Sequence, residues 1–318
     1  MTKITGTAPG NESCPRWKAF LQQIFAGDED LIAFVQRVAG YALTGVTRDH
    51  AIFFAYGGGA NGKSVLLNTL RGVLGSYGTS APMETFTASA FDRHPTELAD
   101  LRGARLVTAS ETEEGRRWAE SRLKQLSAGD SIKARFMRGN FFEYQPQFKL
   151  FLSGNHKPAL RGVDAAIRRR FFLIPFAVTI PESERDPELF EKLKCEWPAI
   201  LTWAIHGCLQ WQAKGLSPPP AVTGATDEYL ADEDSVGIWL DEACEKGPEF
   251  AATTASLFSA WKAYAERSGD FVGSQKRLSQ ALSQRGFRKW RCPRTDRGGF
   301  SGIQVKPTEP DESAYWQK

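Results

Sequence analysis

The chain has 318 residues, of which 42% are hydrophobic and 24% are charged, and its formal net charge is +3. This length suffices for two or three compact domains, and no apolar run approaches the roughly 20 residues of a membrane span. No apolar run follows Lys3 near the N-terminus, so a secretory signal is not expected. The five scattered cysteines and four unclustered histidines predict neither disulfides nor a zinc site. We therefore expect a protein of a reducing cytoplasm with no membrane partner.

Residues 15–48 are predicted to form two helices, after a disordered lead over residues 1–14. Pro15 can open the first helix, and Asp28 or Asp30 can cap the second. Apolar residues recur in both helices at steps of three and four, so one face of each helix is expected to be buried.

Residues 49–215 are predicted to form an α/β core. Short apolar runs have the character of buried strands, and helical patterns alternate with them. The predicted strands cover 51–56, 104–110, 148–154 and 171–176, and the predicted helices cover 63–75, 116–128 and the stretch that ends at Gly215. This alternation indicates a mostly parallel sheet. Residues 131–147 surround Arg138-Gly139-Asn140 and predict a hairpin between the second and third strands.

Residues 216–222, LSPPPAV, are the predicted linker, because three prolines cannot continue a helix. The segment 223–306 is predicted to be a winged-helix-like domain, and residues 307–318 a disordered tail. The helices of the winged-helix-like domain are expected over 235–245, 253–268 and 274–286, and two strands are expected to follow them. Within it, residues 271–306 hold nine Lys or Arg and one acid. This charge predicts a polyanion partner, with a solvated basic face as the alternative.

A glycine-rich loop, GGGANGKS, fits the pattern GxxxxGK[ST] and lies between a predicted strand and a predicted helix. Its backbone N–H groups and the helix N-terminus can surround a phosphate. Lys63 is predicted to bridge the β- and γ-phosphates of ATP, and the Ser64 hydroxyl to hold Mg²⁺. The predicted nucleotide-binding residues are Gly57, Gly58, Gly59, Ala60, Asn61, Gly62, Lys63, Ser64 and Val65.

Polar residues also mark the ends of the other predicted strands. Glu111 follows the second strand, where it can polarise an attacking water or help to bind Mg²⁺. Glu113 is an open alternate, and Glu114 is assigned to the start of the next helix. Asn155 follows the third strand and can orient water near the γ-phosphate.

Arg168-Arg169-Arg170 directly precede the fourth predicted strand. An arginine that reaches the ATP of a neighbouring subunit would stabilise transition-state charge. A solvated patch or a DNA contact is the alternative for the arginines that have no catalytic role.

Six segments follow one another in a characteristic order and spacing: GDEDLIAFVQRVAGYALTG, FFAYGGGANGKSVLLNTL, ARLVTASETEEGRR, LKQLSAGDSIKARF, FKLFLSGNHKP and RRRFFLIPF. In this order they resemble the helicase part of phage and plasmid primase-helicases. These proteins are superfamily III helicases of the AAA+ type, related to the poxvirus primase-helicase. The resemblance covers roughly residues 15–300.

The resemblance implies an AAA+ P-loop NTPase core with an N-terminal helical collar for oligomerisation over residues 15–48. It implies a ring, typically hexameric, that holds ATP between subunits and moves along single-stranded DNA from 3′ to 5′. The same resemblance implies catalytic roles for Lys63, Glu111 and Asn155. It implies that the metal ion is bound by Ser64 and Glu111, and that the catalytic arginine finger is Arg169 or Arg170. Ser110 departs from the family, since many members carry a second acid at that position.

The DNA contacts are assigned on the same basis. The hairpin over 131–147 matches the family's pore hairpin, which makes Lys133, Arg135 and Arg138 candidates for backbone contact. In the C-terminal module the candidates are Lys276, Arg277, Arg285, Arg288, Lys289 and Arg291. The expected partners are single-stranded and forked DNA, further copies of the chain, and a primase or polymerase in a bacterial host cytoplasm. The given residues before 15 are too few for a primase domain, so priming is not expected of this chain. The chain is then either a fragment of a longer primase-helicase or the product of a replicon that codes priming elsewhere.

The function predicted from these features is that of an ATP-dependent replicative DNA helicase of a phage, plasmid or mobile element. One alternative keeps the ATPase and drops processive unwinding, as in a loader or packaging motor. Another is a replication initiator that binds DNA and uses nucleotide only to order its oligomer. A small-molecule kinase would leave the hairpin and the basic module without a role.

Overall fold

The structure is a computed structural model that describes residues 3–89, 96–110, 116–160 and 162–306. The chain divides into two compact units, and each is treated by itself. Unit 1 holds the described residues of 1–160 and 165–230, and unit 2 holds those of 161–164 and 231–318. Glu111, Glu113 and Glu114 lie outside the described residues.

Unit 1 begins with the two predicted helices, α1 (Pro15–Ile24) and α2 (Glu29–Ala42). Pro15 occupies the first turn of α1, and the Asp28 carboxylate caps α2 by accepting a hydrogen bond from the Leu31 N–H at 2.9 Å. The remaining elements are β1 (Ile52–Tyr56), α3 (Lys63–Leu74), β2 (Gly78–Ser80), α4 (Thr96–Ala99), β3 (Leu106–Ser110), α5 (Glu120–Ala128), β4 (Ile132–Arg135), β5 (Phe141–Tyr144), β6 (Lys149–Gly154), α6 (Ala165–Arg168), β7 (Phe171–Pro175), α7 (Leu189–Lys194), α8 (Trp197–Lys214) and α9 (Pro220–Asp232).

Five strands of unit 1 form a parallel sheet in the order β2-β3-β6-β1-β7. Four of them are the predicted strands; they are apolar because both faces of a parallel sheet are covered. The strand β2 was not predicted, because its three residues, Gly78–Ser80, have no apolar pattern. Tyr56 lies opposite Gly154, and Ser110 lies opposite Ser153. The sheet therefore brings the carboxyl ends of β1, β3 and β6 to one edge.

The apolar faces of α1 and α2 are used inside unit 1. Trp17 and Phe34 are fully buried, and the Phe34 ring lies 6.3 Å from the Phe53 ring of β1. These faces therefore stabilise the core of the same protomer, as their apolar pattern predicts. The oligomerising role implied for residues 15–48 stays a prediction.

The predicted linker 216–222 also differs from the structure. Leu216 and Val222 are buried in the core of unit 1, and Pro220 begins α9 instead of ending a helix. Proline is tolerated in the first turn of a helix, where its missing N–H is not needed. The boundary between the units falls near residue 230 rather than at the prolines.

α2 and α8 cross so closely that glycines are required where they meet. A Cβ at Gly207 would lie 1.9 Å from the Gln36 carbonyl oxygen, and a Cβ at Gly40 would lie 2.0 Å from the Cys208 nitrogen. Both clashes are with backbone, which cannot move aside as a side chain can. The crossing thus fixes α2 against α8.

Gly207→Ala is expected to lower the free energy of unfolding by about 1–3 kcal/mol, because the two helix backbones must separate. The matched control is Gly224→Ala in α9, where an added Cβ meets nothing within 4 Å. That change is expected to raise the free energy of unfolding by about 0.5–1 kcal/mol, through helix propensity. Urea denaturation of both variants measures the difference, and equal stability of the two would contradict the packing.

Lys149 at the start of β6 is buried, and its ammonium group donates to the carbonyl oxygens of Thr44, Val46 and Gln147. Burial lowers the pKa of Lys149 to about 7, whereas an unfolded lysine has a pKa of about 10.4. Between these values the unfolded chain binds more protons than the folded chain, so the free energy of unfolding rises with pH from about 7 to about 10. Lys149→Met should remove this rise. Identical pH profiles for the two proteins in urea titrations would contradict the lowered pKa.

Unit 2 contains α10 (Ser235–Ala243), β8 (Cys244–Thr253), α11 (Thr254–Ser268), α12 (Gln275–Gln284), β9 (Arg288–Arg291) and β10 (Gly298–Val305). The three predicted helices and the two-stranded end are confirmed. β8 was not predicted; it pairs with β10, and the antiparallel sheet has the order β8-β10-β9. Trp239, Trp261 and Leu282 belong to the core beneath it. No helix in the described part of either unit is long and apolar enough to cross a membrane.

Candidate nucleotide and nucleic-acid sites

The side chain of Lys63 lies within the glycine-rich loop that joins β1 to α3. Its Nζ donates hydrogen bonds to the carbonyl oxygens of Gly57 at 2.6 Å and Gly58 at 2.9 Å, and to Asn61 Oδ1 at 3.1 Å. A fourth acceptor, Asn155 Oδ1, lies 3.3 Å away at the end of β6. Burial lowers the pKa of Lys63. The loop therefore holds one cation among oxygen acceptors, an arrangement in which phosphate oxygens can replace the loop oxygens.

The shape of the loop depends on Gly62, Ala60 and Asn61. Gly62 has φ +86°, and a Cβ there would lie 2.5 Å from Ile24 Cγ2 of α1. Ala60 also has a positive φ, of 56°. The Asn61 amide donates to the Gly58 carbonyl oxygen at 2.6 Å. The α1 helix, which carries no phosphate motif, therefore packs against the loop at Gly62.

Ser64 follows Lys63 in the first turn of α3, and its side chain is exposed. A hydroxyl in this place can reach a metal ion that accompanies a phosphate. Among the described residues, no group of three or more His, Cys, Asp or Glu could hold a metal by itself. A metal at this site would therefore depend on Ser64, on the phosphates and on acids such as Glu111, which lies outside the described residues.

The sheet edge beside the loop carries Asn155 and a pair of serines. Ser110 Oγ and Ser153 Oγ are 3.0 Å apart and join the ends of β3 and β6 by a hydrogen bond. Asn155 is exposed apart from its contact with Lys63. The structure thus brings together Lys63, Ser64 and Asn155 of the predicted site. The Ser110 hydroxyl is hydrogen-bonded to the Ser153 hydroxyl.

A cavity of about 740 Å³ adjoins the glycine-rich loop at Ala60 and Gly62. Its apolar wall is formed by Phe20 of α1, Val65 of α3, and Ile180 and Leu189 beyond β7. The Ile180 N–H donates to the Ala60 carbonyl oxygen at 2.8 Å, which fixes this wall to the loop. Sequence reasoning missed the contribution of α1 and of residues 180–192, because only the fold brings them beside the loop.

The three arginines lie at the opposite edge of the sheet. Phe171, which follows them, pairs with Ile52 at the start of β1, whereas the loop follows Tyr56 at its end, about 13 Å further along the strand. Arg169 is exposed, and Arg168 lies 3.8 Å from Asp227. Arg170 is buried, and its Nη1 donates to the Ala166 carbonyl oxygen at 2.7 Å. Of the two predicted finger residues, only Arg169 is exposed for contact with another copy.

The predicted hairpin is formed by β4 and β5. Lys133 lies opposite Glu143, and Arg135 lies opposite Phe141 with its guanidinium 4.8 Å from the ring centre. Arg138 is exposed near the tip with a φ of 58°. Three large apolar side chains are also exposed here: Phe136, Met137 and Phe141. Sequence reasoning assigned the cations and missed these apolar residues, since an alternating strand pattern does not indicate which face is covered.

The predicted DNA-binding cations of unit 2 have different environments. Arg285 forms an ion pair with Asp234 at the start of α10, so it fixes the domain instead of facing solvent. The Arg277 guanidinium lies 5.0 Å from the centre of the Phe271 ring. The exposed members of the predicted set are Lys276, Arg288, Lys289 and Arg291. The prediction that Arg285 contacts DNA therefore needs correction, because its guanidinium is paired with Asp234, which is distant in sequence.

Comparisons with known proteins give related sequences and a related fold. Residues 55–170 match the model of DUF5906, which is described as a family of unknown function. The chain is 27% identical over 268 residues to "Putative helicase 022R" of Frog virus 3 (isolate Goorha), which covers 77% of this chain and 27% of the relative. It is 26% identical over 254 residues to "Putative helicase L207/L206" of Acanthamoeba polyphaga mimivirus, which covers 72% and 26%. The chain thus spans about a quarter of the length of these curated relatives.

Among solved structures, the apo C-terminal region of NrS-1 is similar, with a TM-score of 0.56 and 13% identity. The alignment covers 94% of this chain and 77% of that chain. At this identity the likeness establishes a common fold, a mixed α/β arrangement with a parallel sheet, and activity has to be argued from the site.

Proposed function

We propose that this chain is the ATP-dependent motor of a DNA helicase that acts in replication. The observation that carries the proposal is Lys63, buried in a glycine-rich loop between a parallel strand and a helix, with Asn155 of the neighbouring strand at 3.3 Å. Viral relatives named as helicases support the same class. The fold, the order of the site residues and the basic hairpin agree with an AAA+ motor of superfamily III.

ATP with Mg²⁺ fits the residues of the loop. Four protein oxygens surround the Lys63 ammonium group, and we propose that triphosphate oxygens replace them when ATP binds. The Ser64 hydroxyl is exposed in the first turn of α3, and we propose that it would meet the metal ion. The neighbouring cavity offers an apolar wall of Phe20, Val65 and Ile180 to a heterocyclic base. The chemistry supplied by bound Mg²⁺ is neutralisation of the charge on the transferred phosphoryl group.

The protein residues then have distinct roles in hydrolysis. Lys63 transfers its hydrogen bonds from the loop oxygens to phosphate oxygens, and Asn155 is released to orient a water molecule. Glu111, directly after Ser110, is proposed to polarise that water. Arg169 is proposed to enter the site of a neighbouring subunit, because its own loop lies at the other edge of the sheet. A head-to-tail contact closes into a ring when the rotation between subunits divides a full turn, and we propose a hexamer.

The hairpin is proposed to transmit hydrolysis to single-stranded DNA. Lys133, Arg135 and Arg138 would meet phosphates, and the exposed rings of Phe136 and Phe141 would meet bases. In a ring, each subunit would offer one hairpin to the strand at the centre, and the proposed direction is 3′ to 5′.

Replacing Lys133 and Arg135 together by alanine is expected to weaken binding to single-stranded DNA and to stop unwinding. The slope of log affinity against log salt should become shallower by about 0.7 for each phosphate that the hairpin no longer neutralises. Fluorescence anisotropy with a labelled oligonucleotide at several salt concentrations measures both affinity and slope. Lys214→Ala, an exposed lysine at the end of α8, is the control. A double variant with the affinity of this control would exclude the hairpin from DNA binding.

The proposal is tested by strand displacement on a forked duplex, with Lys63→Ala as the inactive reference. Unwinding that needs ATP and Lys63 supports the helicase. ATP hydrolysis stimulated by DNA without unwinding would favour a loader or another remodelling ATPase. DNA binding without either activity would favour an initiator that uses nucleotide only for assembly.

A further inference from the structure

Asn155 is followed by a short segment, residues 156–160, that lies beyond the end of β6. The strand ends at Gly154, and the Oδ1 atom of Asn155 lies 3.3 Å from Lys63 Nζ. Because the segment lies outside the strand, the hydrogen-bond ladder of the sheet does not fix it. The direction in which the Asn155 amide points therefore depends on the contacts that residues 156–160 make elsewhere.

The backbone of this segment is bonded to the residues just before α5. The Trp118 N–H donates to the Ala159 carbonyl oxygen at 3.0 Å, and the Ala159 N–H donates to the Arg116 carbonyl oxygen at 2.9 Å. These two bonds form an isolated parallel bridge between Arg117 and Ala159. So short a pairing is marginally stable by itself, and it opens readily unless side chains support it.

The hydroxyl of Tyr229 on α9 supplies such support. It donates a hydrogen bond to the Pro158 carbonyl oxygen and accepts one from Trp118 Nε1 at 2.9 Å. Trp118 and Tyr229 are each only 2% exposed, so water does not compete for these bonds. Loss of the hydroxyl would take a partner from a buried N–H and from a buried carbonyl oxygen at once.

Aromatic packing fixes the place of that hydroxyl. The Trp118 ring meets the Phe54 ring of β1 edge-on, with 5.4 Å between the ring centres and an angle of 90°. The Phe171 ring of β7 lies 5.7 Å from the Trp118 ring and 6.4 Å from the Tyr229 ring. The network is thus anchored to β1, the strand from which the glycine-rich loop begins.

We infer that Tyr229, supported by Trp118, is a positioning residue for Asn155: its hydroxyl holds residues 156–160 so that the Asn155 amide stays directed at the glycine-rich loop. The inference rests on the proposed function, in which Asn155 orients the attacking water. A displacement of about 1 Å at a reacting group can cost about 10²-fold in rate. Binding of ATP depends chiefly on Lys63 and the loop, so the effect should fall on kcat and not on KM. A merely structural role would lower thermal stability and leave kcat intact.

The first test is kinetic and uses Tyr229→Phe, which keeps the ring and removes the hydroxyl. Its kcat for ATP hydrolysis is expected to fall by about 10–100-fold, with little change in the binding of a fluorescent ATP analogue. Because Tyr229 acts through Asn155, the same change in an Asn155→Ala chain should lower kcat no further. Equal losses in the two backgrounds would overturn the inference. Trp118→Phe, which removes the N–H that donates to Tyr229, is the second variant and should lower kcat in the same way.

The second test needs no nucleotide. Hydrogen exchange over residues 155–160 should be faster in ATP-free Tyr229→Phe than in the wild type, because the bridge loses its side-chain support. Tyr41→Phe is the matched control and should keep wild-type exchange there and wild-type kcat. Tyr41 is also buried, its hydroxyl accepts from the Asp49 N–H at 3.4 Å, and its ring lies 4.6 Å from Lys149 Nζ, at the opposite end of β6.

The two tests keep this inference apart from the proposed motor. Unchanged exchange over residues 155–160 in Tyr229→Phe, shown to be folded by thermal denaturation, would overturn the inference whether or not the chain hydrolyses ATP. The expected faster exchange in a chain whose wild type hydrolyses no ATP would refute the motor and still support the hold of Tyr229 on the segment.

Discussion

Arg169→Ala is expected to lower the rate of ATP hydrolysis by about 10³-fold, while nucleotide binding is largely retained. The reason is geometric: Arg169 precedes β7, at the edge of the sheet opposite the glycine-rich loop of its own chain, and we propose that it acts on the site of another copy. There its guanidinium would stabilise charge on the transferred phosphate. Steady-state phosphate release and binding of a fluorescent ATP analogue measure the two effects.

The neighbouring arginines serve as controls for this prediction. Arg168→Ala removes only an exposed ion pair with Asp227 and should leave hydrolysis nearly unchanged. Arg170→Ala removes a buried side chain bonded to the Ala166 carbonyl oxygen, so it should reduce thermal stability. Equal losses of activity in folded Arg168→Ala and Arg169→Ala proteins would count against a specific finger.

Mixing two inactive variants tests action between subunits directly. A subunit with Arg169→Ala still has Lys63 in its loop, and a subunit with Lys63→Ala still has Arg169. Where the Lys63→Ala subunit offers its Arg169 to the loop of the Arg169→Ala subunit, the interface contains both residues. Mixed assemblies are therefore expected to recover part of the ATP hydrolysis that each variant lacks alone. Absence of recovery, when exchange of labelled subunits is demonstrated, would refute the shared site.

The second large effect is expected at Lys63. Lys63→Ala should reduce ATP hydrolysis by about 10²–10³-fold, because it removes the cation that four oxygen acceptors hold in the loop. Lys63→Arg keeps the charge, but its planar guanidinium does not fit the same set of close acceptors, so it should also be impaired. Phosphate release at saturating ATP checks both variants.

An exposed lysine of α1, Lys18, provides the reference for Lys63. Lys18→Ala changes the net charge by the same amount and should hydrolyse ATP at the wild-type rate. If folded Lys63→Ala protein matched Lys18→Ala, the loop would not be a triphosphate site, and the proposed motor function would fail with it.

The features that could be predicted from the amino-acid sequence are those that depend on adjacent residues. The glycine-rich loop, the short apolar strands and the helix caps are local, because each needs only neighbours in the chain and a steady apolar pattern. For this reason the α/β core, the parallel strands and the position of Lys63 could be predicted. β8, in contrast, contains Gly247 and Pro248 and has a half-exposed pattern, and it becomes a strand only by pairing with β10.

The partners of individual charges and apolar faces could not be predicted, because they depend on how distant segments pack. Arg285 and Arg170 resemble surface cations in sequence. In the structure Arg285 forms an ion pair with Asp234, and Arg170 donates a hydrogen bond to the Ala166 carbonyl oxygen. The apolar faces of α1 and α2 could be predicted to be buried, but the sequence does not show that the sheet and α8 cover them. A side chain's partner is set by the packing of segments distant in sequence, and that packing optimises burial and charge pairing over the whole unit.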